Sequence, residues 1–272
     1  MSVADAAMTA LREEAKYWVE YGALGRLIEE FEAHVSPHRF EGEGASRLPM
    51  PRHYVTTVYF DTASWRHLTG ALAAREDNAK LRFKEYYDEH SSLAELATNE
   101  SDMVRDDAWV WLELKRRQGT RTTKQRLRLY KREVPKFLAR KRAVLALPKG
   151  SSDVTQCVRI ADYCRELGEP LEARCVVNYR RMSYQDPAGE LRITVDLDLA
   201  FFAPPEGLWN EPGPLSRRLL GKRLGSEDRA LIEVKRRGPF PEWLSRALAE
   251  ASAQQADFSK FVRAAELVRS HV

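Results

Sequence analysis

Apolar and charged side chains alternate along six separate stretches of this chain. Glu14 and Lys16 lead into Tyr17, Trp18 and Val19, while Lys80, Arg82 and Lys84 interleave with Leu81 and Phe83. Glu113 and Lys115 interleave with Leu112 and Leu114, and Lys124, Arg126 and Arg128 with Leu127 and Leu129. Arg192, Thr194, Asp196 and Asp198 alternate with Leu191, Ile193, Val195 and Leu197, and Glu233 and Lys235 with Ile232 and Val234. Strand side chains change face with a period of two, so each stretch carries one apolar face and one ionic face. A single strand of this kind is an ordinary solvent-facing edge. Six of them, rich in Arg and Lys yet returning repeatedly to a Glu, predict the lining of a pocket for a polyanion and a divalent cation.

The remaining pattern places these strands among helices and turns. A short helix is expected over 3–13, then a strand over 14–20 and an amphipathic helix over 23–34 with Leu24, Leu27, Ile28 and Phe31 on one side. Pro37 ends that helix, and 41–52 reads as a surface loop. Further strands are predicted at 53–61 and 80–87, with a short helix at 63–74 between them. The polar stretch 88–107 shows neither period and reads as an extended loop or lid. A hairpin is expected at 108–116 and 124–131 around Gln118-Gly119-Thr120, and a second at 174–184 and 190–201 around Asp186-Pro187-Ala188-Gly189. Helices are predicted at 134–146 and 153–167, an irregular segment at 203–228, a last strand at 230–236 and a helical tail at 241–272.

Seven or eight antiparallel strands with one charged face each predict a closed barrel, because helices are available to cover the outer apolar faces. The expected fold is therefore α+β: an eight-stranded antiparallel barrel, helices packed outside, and a C-terminal helical tail, in one domain over 1–272. An α+β sandwich with an exposed charged sheet satisfies the same pattern.

Composition narrows the partners. A hydrophobic fraction of 43% is enough to build a core and argues against disorder. The 44 Lys+Arg against 40 Asp+Glu leave a net charge of only +4, too balanced for a protein that coats nucleic acid, so no specific nucleic-acid partner is expected. Cys157, Cys164 and Cys175 are odd in number and lack a CxxC spacing, which suits buried thiols; no HExxH motif is present, and a histidine-based zinc site is not expected. The N-terminal segment is broken by charges, unlike a signal peptide, and no stretch approaches the ~20 apolar residues of a membrane helix. A cytoplasmic location is the expectation.

The segments EAKYWV, YVTTVYFDT, KLRFKEYY, WLELKRR, YRRMSYQDPAGELRITVDLDL, LIEVKRR and FSKF, in that order, resemble the polyphosphate polymerase domain of the vacuolar transporter chaperone family. That domain belongs to the triphosphate tunnel metalloenzyme superfamily, and the resemblance runs from Glu14 to Phe261. It implies an antiparallel barrel whose basic tunnel binds ATP, triphosphate or polyphosphate with Mn²⁺ or Mg²⁺. By the same resemblance Lys16, Arg82, Lys84, Lys115, Arg181 and Arg192 contact the reacting phosphates. Lys124, Arg126, Lys235 and Lys260 extend the phosphate-binding set, with Lys260 near one tunnel mouth. Glu233 is implied as the metal-coordinating carboxylate, with Glu14 and Glu113 as helpers. Where the family motif carries two arginines this chain has Arg82 and Lys84, and lysine lacks the bidentate fork. No sensing domain or membrane anchor is expected in the chain, so coupling to translocation would need another, unidentified membrane protein.

Taken singly, each of these cations fits a solvated strand face with cross-strand ion pairs; as an ordered set they point to phosphate contacts. Arg180 falls on the opposite strand face and Arg128 near a strand end, which favours surface roles. Asp196 and Asp198, on the charged face, suit an internal pair with an arginine as well as a metal. Trp109 and Trp111 share a face with Glu113, as packing residues or as an adenine contact. The expected reaction transfers the γ-phosphate of ATP to a growing inorganic polyphosphate chain, a chemistry of positioning and charge neutralisation. A triphosphatase with Glu14 or Glu113 as base, and a non-catalytic polyphosphate-binding protein, use the same residues; an adenylate cyclase fits the FSKF and YxRxSY elements poorly.

Overall fold

A computed structural model describes residues 13–38, 53–73, 77–87, 109–119, 121–139, 153–210 and 213–271. The surface loop expected at 41–52 and the extended loop or lid at 88–107 lie outside these residues. So do the helix expected at 3–13, apart from Glu13, and the later part of the helix at 134–146.

The chain runs through β1 (Glu13–Val19), α1 (Leu24–His34), β2 (Ser36–Pro37), β3 (His53–Asp61), α2 (Arg66–Leu72) and β4 (Asp77–Tyr87). It continues through β5 (Trp109–Gln118), β6 (Arg121–Tyr130), α3 (Val134–Leu138), α4 (Asp153–Leu167), β7 (Glu172–Gln185) and β8 (Leu191–Phe202). The last elements are β9 (Arg223–Ser226), β10 (Ala230–Arg236), α5 (Glu242–Glu250), β11 (Gln254–Gln255) and α6 (Lys260–His271). The eight long strands are the eight that the sequence predicts, six of them from alternation. At the tight turn of the second long hairpin, Gly189 takes a left-handed φ of 70° and its N–H donates to the Asp186 carbonyl at 3.0 Å.

All strand pairs are antiparallel, and they join into one eleven-stranded sheet in the order β11-β1-β10-β8-β7-β3-β4-β5-β6, with β2 on β7 and β9 on β8. This corrects the closed eight-stranded barrel: among the described residues no ladder links β6 to the far edge. The physical reason is visible at β1, whose outer edge is already used by β11 (Tyr17 opposite Gln255, Trp18 opposite Gln254) and by the Ala256 N–H donating to the Lys16 carbonyl at 2.8 Å.

The open sheet nevertheless curls strongly. Flat, with strands about 4.8 Å apart, it would hold β10 and β5 about 24 Å from each other. Instead, Lys115 on β5 feels the charges of Glu14 on β1 and of Lys235 and Glu233 on β10. Adjacent residues Ser259 and Lys260 also span the interior: Lys80 on β4 donates to Ser259 Oγ at 3.0 Å, and Lys260 Nζ lies 2.7 Å from Asp196 Oδ2 on β8.

The helices divide between the two sides of this trough. On the convex side, Leu27 and Phe31 of α1 and Leu244 and Leu248 of α5 bury Ile193, Val195, Ile232 and Val234. Phe137 of α3 and Ile160 and Cys164 of α4 bury Leu81, Phe83, Leu112, Leu114 and Leu127. The helical tail expected at 241–272 is two helices, and the second, α6, lies on the concave side. Its Phe261, Ala264, Ala265 and Val268 pack with Val55, Tyr59, Val177, Tyr179 and Leu231, all on the concave face. The concave face is thus ionic along one part and apolar where α6 fills it.

Candidate functional site

Period two carries the predicted cations into the trough. Arg82 and Lys84 stand on β4 opposite Glu113 and Trp111 of β5, and Glu113 in turn faces Arg126 of β6. The outcome is a four-cation cluster around one carboxylate. Glu113 Oε2 takes Arg82 Nε at 3.0 Å and Nη2 at 2.9 Å, with Lys84 Nζ at 4.0 Å. Its Oε1 lies 2.9 Å from Lys124 Nζ and 3.3 Å from Arg126 Nε. Burial alone raises a carboxyl pKa, but Lys84, Arg82, Lys124 and Arg126 together hold Glu113 well below the ordinary range. Lys84 is pushed the other way: burial and the neighbouring Arg82 lower it well below an ordinary lysine, against the pull of Glu113.

A second cluster lies on β7, β8 and β10. Arg181 grips the fully buried Asp196 through Nε at 2.6 Å and Nη2 at 2.7 Å, a bidentate fork, and Lys260 Nζ pairs with Asp196 Oδ2 at 2.7 Å. Arg181 Nη2 also reaches Glu233 Oε2 at 4.0 Å, and Lys235 bonds Glu233 directly. Burial raises the Glu233 carboxyl, yet Lys235, Lys260 and Arg181 hold it well below the usual range. Next to it on the ladder, Lys16 faces Glu233 and Glu14 faces Lys235. Lys16 Nζ pairs with Glu14 at 3.1 Å, and Lys235 Nζ lies 3.9 Å from Glu14 Oε2. Arg192 stands across the ladder from Lys235, and Lys115 across from Lys80 and Lys124.

Every predicted phosphate contact therefore reaches the same trough, divided between two clusters. The three expected metal ligands do not meet. Glu14 and Glu233 share Lys235 on adjacent strands, whereas Glu113 sits in the other cluster with both oxygens loaded by cations. Among the described residues no three Asp, Glu, His or Cys side chains converge on a metal position. Glu14 and Glu233 are themselves paired with Lys16, Lys235 and Arg181, but unlike Glu113 they stand together on adjacent strands.

Two acidic residues separate where alternation had placed them together. Asp196 faces the trough, but Asp198 takes a left-handed φ of 52° at a bulge between β7 and β8. The extra residue shifts the strand by one, so Leu199 and Phe201 enter the concave core while Asp198 pairs with Arg180, Nε to Oδ2 2.6 Å, outside it. Arg180 lies on the opposite face, as its parity predicts. Trp111 enters the trough with the Arg126 guanidinium 3.8 Å from its ring centroid; the Trp109 side chain lies outside the described residues.

Residues not singled out beforehand also line the site. Tyr179 lies beneath both Arg181 at 5.1 Å and Lys260 at 5.2 Å, and Tyr59 forms another part of the floor, with Arg82 5.9 Å from its ring centroid. Lys80 points in beside Ser259, its pKa lowered to about 8 by burial and by Lys115, Arg82 and Lys16. His53 faces Arg181 on the β3–β7 ladder; burial, with Arg181 next, lowers its pKa to about 4 and keeps the ring neutral. Period two from Arg181 and Arg82 marks Tyr179 and Lys80 directly. His53 had no signal, because its strand reads as wholly apolar or neutral.

The family model described as VTC domain matches residues 11–269. No curated protein matches the chain. Among solved structures, a Bacillus halodurans protein provisionally described as an adenylate cyclase aligns with a TM-score of 0.47 and 16% identity, covering 93% of this chain and 97% of its own. The PH1819 protein of Pyrococcus horikoshii aligns with a TM-score of 0.42 and 12% identity, covering 96% and 99%.

Proposed function

Because the chain belongs to the VTC domain family, we propose that it is a metal-assisted phosphotransferase that moves the γ-phosphate of ATP onto a growing polyphosphate chain. The observation that carries this reading is the pair of cation clusters on one concave face, around Glu113 and around Asp196 with Glu233. A chain of phosphates is a linear array of anions, and two neighbouring clusters suit a donor and an acceptor segment held at once. Arg82, Arg126 and Arg181 supply forked donors to non-bridging oxygens, and Lys16, Lys84, Lys115, Lys124, Lys235 and Lys260 supply point charges.

In this reaction a terminal oxygen of the acceptor chain attacks the γ-phosphorus, the bond from that phosphorus to the β–γ bridging oxygen breaks, and ADP leaves with the electron pair. The attacking group is already an oxyanion and needs no base. That suits a site where Glu113, Glu233 and His53 all sit below their ordinary pKa values and accept protons poorly near neutrality. Glu233 and Glu14 are the residues proposed to hold Mg²⁺ or Mn²⁺, which would neutralise charge on the transferred group. The cations around them orient the phosphates, and burial of Arg181 and Asp196 fixes that orientation against solvent exchange.

Hydrolysis of triphosphate is the second reading, and Lys84 is the observation that favours it. Its amine is buried and driven toward the neutral form beside Glu113, so it is able to take a proton from water. The test incubates purified protein with ATP and Mn²⁺ or Mg²⁺, with and without a short polyphosphate primer, resolving chains on a gel and assaying free phosphate in parallel. Lengthening ladders that vanish in Glu233→Gln support the polymerase. Phosphate release without ladders assigns a hydrolase, and neither product leaves a polyphosphate-binding protein.

A further inference from the structure

The four-cation cluster has an unusual occupant. Glu113 is almost wholly buried, yet it belongs to no compact hydrophobic layer: it faces the trough, and each of its oxygens is held by two basic side chains. An arginine fork on one oxygen and a lysine at 2.9 Å on the other is also the ligand set that a phosphate group takes from proteins. Aromatic contacts hold the two arginines of the cluster independently of Glu113. Arg126 lies on the Trp111 ring at 3.8 Å, and Arg82 Nη1 donates to the Tyr59 hydroxyl at 3.4 Å. Two of the four cations thus have supports besides Glu113, and the carboxylate sits among all four where an anion belongs.

We propose that Glu113 is a built-in counter-anion that holds the inner phosphate position of the trough and must be outcompeted by the substrate, so that it selects long polyanions over single phosphates. The proposal rests on the trough being a phosphate site. A lone orthophosphate gains only the contacts it takes from Glu113. A chain of several phosphates gains the second cluster as well, around Arg181, Lys235 and Lys260, and displaces the carboxylate at a profit in contacts. Glu113 thereby opposes binding, the reverse of what a metal-ligating carboxylate does. With the carboxylate gone, the four cations repel one another with no internal partner, and an incoming phosphate relieves all of that repulsion.

Calorimetric titration tests this, with orthophosphate and tripolyphosphate as probes, in chelator and then in Mg²⁺, on wild type, Glu113→Gln and Glu113→Asp. The expected result is tripolyphosphate binding to Glu113→Gln about tenfold tighter than to wild type, from removal of one close like charge. Orthophosphate binding becomes measurable in that variant, and Glu113→Asp, which withdraws the charge by one methylene, is intermediate. Equal or weaker tripolyphosphate binding by Glu113→Gln overturns the proposal while the phosphate-trough reading stands. Failure of the wild type to bind tripolyphosphate overturns both. If repulsion among the cations prevents Glu113→Gln from folding, the melting temperature of Glu113→Asp decides. A larger rise with tripolyphosphate than in wild type supports the counter-anion, and an equal or smaller rise refutes it.

Discussion

Lys80 shows how a side chain named in the alternation becomes informative only when its neighbours are known. Its amine donates to Ser259 Oγ and is flanked by Lys115, Arg82 and Lys16, which with burial lower its pKa to about 8. In the unfolded chain the same amine titrates near ~10.4. Between these values the unfolded state binds more protons, so this residue makes stability rise with pH from about 8 upward, while charged Lys80 opposes folding below that. Anion affinity runs the other way, falling as the amine loses its proton. Tripolyphosphate affinity measured from pH 7 to 9 is expected to fall in the wild type and to fall less in Lys80→Met. Equal slopes would remove Lys80 from the site.

Among the elements, β8 carries the main surprise. Alternation over Arg192, Thr194 and Asp196 is correct in the structure, and its extension to Asp198 is not. One inserted residue with a φ of 52° moves Asp198 out to Arg180 and turns the following residues inward. A bulge is set by the partner strand and by what must be buried beyond it, so no local signal in TVDLDLAFF announces it. Asp tolerates the left-handed region better than most residues, and a β-branched side chain does not. Asp198→Val is expected to lower stability by about 1–3 kcal/mol through backbone strain. Asp198→Gly relieves the strain, loses the surface pair, and falls within about 1 kcal/mol of wild type. Urea unfolding of both variants checks this; equal losses would mean that the ion pair, not the backbone, matters there.

At the scale of the whole molecule, the C-terminal helix converts a curled sheet into a site. Ser259 and Lys260 bridge β4 and β8, and Phe261, fully buried, lies against Tyr59 with ring centroids 5.1 Å apart. Truncating such a ring leaves a cavity, and Phe261→Ala is expected to cost about 3–5 kcal/mol in chemical denaturation. It is also expected to weaken tripolyphosphate binding in the folded fraction, because the turn that carries Lys260 to Asp196 loses its anchor. Unchanged affinity with lowered stability would show that α6 supports the fold without arranging the site.

The sequence by itself determined the strands, their two faces and nearly every cation of the trough, because a period of two is a local property that survives whatever the strand packs against. It also carried the family, through the order of short segments from EAKYWV to FSKF. Tertiary structure decided what alternation cannot express. The β1 edge is used by β11, so the sheet curls without closing; the tail turns inward to fill the apolar part of the trough; and the bulge at Asp198 reverses a face. Above all, it separated Glu113 from Glu14 and Glu233. Carboxylates that look equivalent along the chain differ in which cations reach them, and that depends on distances between strands far apart in sequence.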